Sequence, residues 1–196
     1  MVTNNVNVHT QERFRFICRL AVIVAVNLCV MVAHADTAAP TEYQVKAAFI
    51  YKFASYVQWP MIPGLVSTRP FVIGIFGKDP FGPSFDQIVR GQTVQGRAVV
   101  IKRLPGIEDA GSCDILFISD SEKSNLRRIL TVLRDAPVLT VGDMDHFGER
   151  GGMINLTTED NRIRFDINVR AIERARLKAA SQLLRLARIV QESPSD

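Results

Sequence analysis

Apolar and polar positions alternate with period two through residues 154–167. Ile154 and Leu156 are separated by Asn155, and beyond Asp160-Asn161 the apolar Ile163, Phe165 and Ile167 are separated by Arg164 and Asp166. Such alternation predicts an antiparallel hairpin with one face buried and Arg162, Arg164 and Asp166 turned outward. From Val169 the period changes: Ile172, Ala175, Ala179, Leu183, Leu186 and Val190 recur at three- and four-residue steps, which predicts one long amphipathic C-terminal helix over residues 169–190, about 33 Å at 1.5 Å per residue. Its start continues the charged surface through Arg170, with Ile172 at the edge. Arg162, Arg164, Asp166, Arg170 and Ile172 therefore form the candidate docking patch for a partner.

Upstream, Thr41-x-x-Gln44 fits a capping box and predicts a helix ending near Trp59-Pro60. Val45, Phe49, Phe53 and Val57 form one apolar stripe on it, and Ala47, Ile50 and Ala54 a second. Short apolar runs at residues 71–76, 98–101, 113–118 and 138–141 read as strands, with helices expected over residues 84–89 and around Leu126, Ile129, Leu130 and Leu133. Strands that alternate with helices predict an α/β fold: a mainly parallel sheet between helical layers, with an antiparallel hairpin and a long C-terminal helix, and with the first and last helices on one face.

The beginning of the 196-residue chain reads differently. Arg13, Arg15 and Arg19 precede the uncharged run 20–32, which ends in Ala33-His34-Ala35, a pattern that predicts a cleaved signal peptide over residues 1–35. Thirteen uncharged residues reach about 20 Å as a helix, short of a hydrocarbon core of about 30 Å. Residues 36–196 are then one exported domain, and of the three cysteines only Cys113 remains in it. No intramolecular disulfide is available. The lone thiol is buried and inert, the reading that the apolar run after it favours, or it pairs between chains, which leaves a homodimer open, or it is reactive. Charge is concentrated at the end, where residues 162–188 hold eight basic side chains against Asp166 and Glu173. That asymmetry suits an acidic partner surface or is a solvated face, and no nucleic-acid recognition motif accompanies it.

Candidate chemistry is sparse. His146 is the one histidine after the signal, and Asp143-x-Asp145-His146 reads as a turn rather than a metal site, so no catalytic residue, metal or cofactor is expected. Six of the fifteen aromatic residues fall in residues 43–59, so Phe49, Phe53, Tyr56 and Trp59 either pack in the core or line a ligand groove. The turn GKDPFG at residues 77–82 matches no phosphate-loop pattern.

Several segments in order resemble the YfiR family: VKAAFIYKFA at residues 45–54 up to Trp59-Pro60, residues 77–82, CDILFI at 113–118, GGMIN at 151–155, then Arg162-x-Arg164-Phe165-x-Ile167-Asn168 and Leu183-Leu184-x-Leu186-Ala187. The resemblance spans nearly all of residues 41–190. It implies a periplasmic, non-enzymatic repressor of an inner-membrane signalling enzyme, through the periplasmic domain of a diguanylate cyclase or sensor kinase. Cyclic di-GMP signalling and biofilm formation would be its field. The alternative is a small periplasmic ligand-binding module that uses the aromatic groove. In the family's characterised repressor two cysteine pairs support the fold and tie activity to redox state. Here Cys113 matches one cysteine, while Gly74, Gly148 and Asn155 stand at the other three positions.

Overall fold

The computed structural model describes residues 40–60 and 69–193. The expected signal segment lies outside them.

The capping box forms as the sequence predicts. Thr41 N donates to Gln44 Oε1 at 2.8 Å, Gln44 N donates to Thr41 Oγ1 at 3.3 Å, and α1 runs Glu42–Tyr56. It is followed by β1 (Val57–Gln58), β2 (Phe71–Phe76), α2 (Pro83–Val89), β3 (Thr93–Val94), β4 (Arg97–Leu104), a 3-10 turn (Ile107–Ser112) and β5 (Ile115–Ile118). A second 3-10 turn (Asp120–Glu122) leads to α3 (Leu126–Leu133), β6 (Leu139–Gly142), β7 (Ile154–Glu159) and β8 (Arg162–Ile167).

Eight strands form one sheet in the order β10-β8-β7-β6-β5-β2-β4-β3, where β10 is Arg188–Ile189. From β4 to β7 every neighbouring pair is parallel, β8 runs antiparallel to β7, and β3 antiparallel to β4. The α/β class and the mainly parallel sheet are those the alternating pattern predicts. Central strands β5 and β6 are buried at every position, because helices cover both faces and no side chain on them needs to be polar. One layer packs Phe71, Ile73, Ile75, Phe117 and Val141 against Ala47, Ile50 and Phe53 of α1 and Phe85 of α2. The other packs Val72, Leu116 and Ile118 against Leu126, Ile129 and Leu133 of α3. Burying each of these large side chains stabilises the fold by roughly 1.5–3 kcal/mol.

The long C-terminal helix is not formed. Residues 169–190 instead give α4 (Val169–Arg174), β9 (Lys178–Ala179), α5 (Ser181–Leu186) and β10. At the end of α4, Leu177 N donates to Ile172 O at 3.1 Å and Arg176 N to Glu173 O at 2.9 Å, with Arg176 left-handed at φ 61°. That is the double hydrogen bond of a Schellman cap, with arginine where glycine is usual. The chain then pairs Ala179 and Lys178 with Val57 and Gln58, and Ala180 N donates to Tyr56 O at 2.8 Å. Sheet edges elsewhere in the fold offer these amides partners that an isolated helix lacks. The apolar spacing is still used, since Ile172, Ala175 and Leu183 are all buried. α1 and the last two helices do share one face of the sheet, as expected.

Candidate functional site

The hairpin is built by its turn. Asp160 and Asn161 both take positive φ, 49° and 59°, the geometry of a two-residue turn whose twist matches that of the flanking strands. Register then pairs Leu156 with Phe165, Thr157 with Arg164 and Glu159 with Arg162. Phe165 points inward and meets Phe53 at 5.3 Å and Phe49 at 6.0 Å between ring centroids, so the hairpin is clamped onto α1. Thr158 adds a hydrogen bond to Glu42 at 2.8 Å.

Of the five residues expected in the docking patch, Arg162, Arg164 and Arg170 are exposed. The other two are not. Asp166 is buried because β10 lies beside β8 with Arg188 opposite Asp166, and the guanidinium closes over the carboxylate with bonds of 2.8 and 2.9 Å. Ile172 is wholly buried on the inner side of α4 rather than at a surface edge, because the apolar stripe of α4 faces the core. Two exposed apolar side chains missed in the sequence, Leu186 and Ile189, instead flank Arg188 at the edge of the sheet. The spacing had placed Leu186 in the buried stripe of a helix and left Ile189 outside that stripe, so no sequence signal marked the pair as a surface feature.

The four aromatic residues do not line a common groove. Phe53 is buried in the core and packs with Phe49, Trp59 packs edge-on against Phe71 at 5.1 Å and donates Nε1–H to the Asp114 carbonyl at 3.2 Å, and Tyr56 is exposed. Phe49, partly buried, and Phe53 both pack against Phe165.

Asp143, in the expected turn, is drawn inward to Lys46 at 3.0 Å, and Lys46 also reaches Glu42 at 2.8 Å. Burial pushes the Asp143 carboxyl up against the pull of Lys46. For Lys46 burial acts the other way, yet the bonds and charges of Glu42 and Asp143 override it and hold the ammonium above its ordinary value. Asp145 and His146 remain exposed, and no group of three metal-ligating side chains occurs among the described residues. Cys113 is buried, with its thiol pushed up by that burial, so a homodimer bridged through it is not supported.

A charged centre that the sequence did not reveal lies at the start of β5. Asp114 accepts from Arg69 at 2.8 and 2.9 Å, from Arg97 at 2.9 Å and from Val72 N at 2.8 Å. An acid opening an otherwise apolar run was the available signal. Its bonds tie β2, β4 and β5 together at their starts, which is structural work.

A family model, DUF4154, described as YfiR/HmsC-like, matches residues 43–188. The chain belongs to the YfiR/HmsC-like family. Members of this YfiR/HmsC-like family are regulators rather than enzymes, and the family's setting is periplasmic, with regulation of diguanylate cyclase the role it suggests. Among its described residues no helix is long and apolar enough to cross a membrane. No curated protein matches the sequence. Among solved structures, the ABC domain from Streptococcus pneumonia in complex with L-Trp is similar at 10% identity and TM-score 0.46, over 61% of this chain and 55% of that one. A conserved domain protein from Vibrio cholerae is similar at 12% identity and TM-score 0.49, over 76% and 60%. At those scores neither likeness bears on function.

Proposed function

We propose that this protein is exported through a cleaved signal peptide over residues 1–35 and acts, as a single domain over residues 36–196, to repress an inner-membrane diguanylate cyclase by protein–protein contact. Lower cyclic di-GMP and reduced biofilm formation are its consequences. The family match across residues 43–188 carries this reading. The surface that suits it runs along the outer edge of the hairpin, where Arg162, Arg164 and Arg170 stand exposed and Leu186 and Ile189 add apolar area beside them. Arginine bordered by exposed aliphatic side chains is a composition enriched in binding surfaces, and it favours an acidic face on the cyclase.

The test is repression itself. Cyclic di-GMP is measured in cells that carry the cyclase with wild-type protein or with Arg162→Glu/Arg164→Glu, and with Ile189→Ser separately, at equal periplasmic abundance. Charge reversal is expected to derepress the cyclase while thermal stability stays within about 0.5 kcal/mol of wild type. Full repression by both variants would place the contact elsewhere.

A further inference from the structure

Between α3 and the end of α4 the surface sinks into a cleft of ≈ 420 Å³, within the range of about 300–1,000 Å³ typical of small-molecule sites. Separate parts of the chain send arginines into it: Arg127 and Arg134 from α3 and its C-terminal cap, Arg150 from the loop before β7, and Arg174 from the last turn of α4. These four face only two glutamates, Glu149 and Glu192, so two positive charges are left over.

Elsewhere several arginines are matched by acids: Arg97 by Asp114, Arg103 by Asp79 and Asp86, Arg188 by Asp166. Of the four in the cleft, Arg174 alone has such a partner among the described residues. Arg174 pairs with Glu192 at 3.0 Å through Nη1, but its Nε is buried without a hydrogen-bond partner among the described residues. Arg150 uses one nitrogen on the Lys123 carbonyl at 3.1 Å, and neither it nor Arg127 nor Arg134 meets a carboxylate among the described residues. Converging guanidinium groups with unfilled donors, one of them buried, are poised for an acceptor from outside the chain.

The number of donors selects the ligand. A single carboxylate fills one guanidinium fork, whereas a phosphoryl group offers three oxygens and a second negative charge and can engage several forks together. Leu130 and Gly151 lie on the inner wall, which continues into a small hollow bordered by Leu133, Met153 and Ala171, so an organic portion has apolar surface to rest on. We propose that this cleft binds a phosphoryl-bearing small molecule, held by Arg134, Arg150 and Arg174. Glu192 is then an internal competitor: its carboxylate occupies Arg174 in the unliganded chain and must give way. The site is independent of the docking edge and does not rest on the repressor reading.

Calorimetric titration of the exported protein at low salt tests this with inorganic phosphate, pyrophosphate, ribose 5-phosphate and citrate. Phosphoryl probes are expected to bind one per chain, and Arg134→Ala and Arg174→Gln to weaken them about tenfold or more. Glu192→Gln is expected to tighten binding several-fold, a change in the opposite sense that unfolding cannot mimic. Tighter binding of ribose 5-phosphate than of phosphate assigns the site to an organic phosphate, and equal binding to the free ion, both within the proposal. Citrate binding as tightly as pyrophosphate overturns the phosphoryl assignment. Absence of binding at millimolar probe, or variants that all bind like wild type, overturns the site.

Discussion

Arg188 closes over Asp166, with Nε and Nη2 bonded to the two carboxylate oxygens at 2.8 and 2.9 Å. The pair lies between the parallel neighbours β10 and β8, so it fastens a two-residue edge strand that has little other bonding. The Asp166 side chain is 7% exposed and that of Arg188 62%. Asp166→Ala is therefore expected to lower stability by about 1–3 kcal/mol, the range for a charge-assisted hydrogen-bonded partner lost from a shielded site. Arg164→Ala, at an exposed position, should stay within about 0.5 kcal/mol. Urea unfolding of the two variants checks the contrast, and equal midpoints would mean that β10 is not held by this pair.

Alkaline pH should destabilise the fold from about pH 9 upward. Burial raises Cys113 from its ordinary 9.0, and burial with the Asp143 charge raises Tyr43 from 10.0. Lys46 is raised from 10.5 because Glu42 and Asp143 override the opposing effect of burial. All three act in one direction: each group holds its proton more tightly folded than unfolded, so the stability each contributes is complete below its ordinary value and is lost as pH climbs through the folded value. Melting temperatures between pH 8 and pH 11 test this, and Cys113→Ala should flatten the onset near pH 9.

A Cβ added to Gly74 would come within 2.6 Å of Cys113 Sγ, near enough for a bridge. Oxidised Gly74→Cys is expected to form the disulfide and gain about 2–4 kcal/mol. Reduced, it should be less stable than wild type, because the new side chain also crowds Leu116 at 3.0 Å. Thiol titration and melting with and without reductant measure both states. Two free thiols after oxidation would show that the positions are not in reach. No such neighbour relation joins Gly148, whose added Cβ meets Val190 at 2.6 Å, to Asn155.

Arg176→Gly should stabilise the protein. At φ 61° the arginine bears the left-handed penalty of about 1–2 kcal/mol for a residue with a Cβ, which glycine escapes at some cost in chain entropy. A net gain of about 0.5–1 kcal/mol corresponds to roughly 1–4 °C in Tm for a chain of this size. An unchanged or lower Tm would show that the Arg176 side chain, which reaches the Asp135 carbonyl at 3.5 Å, contributes more than the strain costs.

The strands, the Thr41–Gln44 cap and the hairpin turn were legible in the sequence because each depends on neighbours a few residues away. Period-two alternation around Asp160-Asn161 and the apolar runs that open at Phe71 and end at Ile118 carry their own burial pattern. The fate of residues 169–190 was not legible. Three- and four-residue spacing records which side chains are buried, and Ile172 and Leu183 are buried, but it does not record whether the backbone between them bonds to itself or to a strand distant in sequence. Val57 and Gln58 offered partners to Lys178 and Ala179, and Asp166 offered one to Arg188, so the helix yielded to two short sheet contacts. For the same reason charge along the chain identified a basic region but not its surface. Only the fold decided that Asp166 is covered, that Arg162 and Arg164 stay in water, and that Arg134, Arg150 and Arg174, distant in sequence, converge on one cleft.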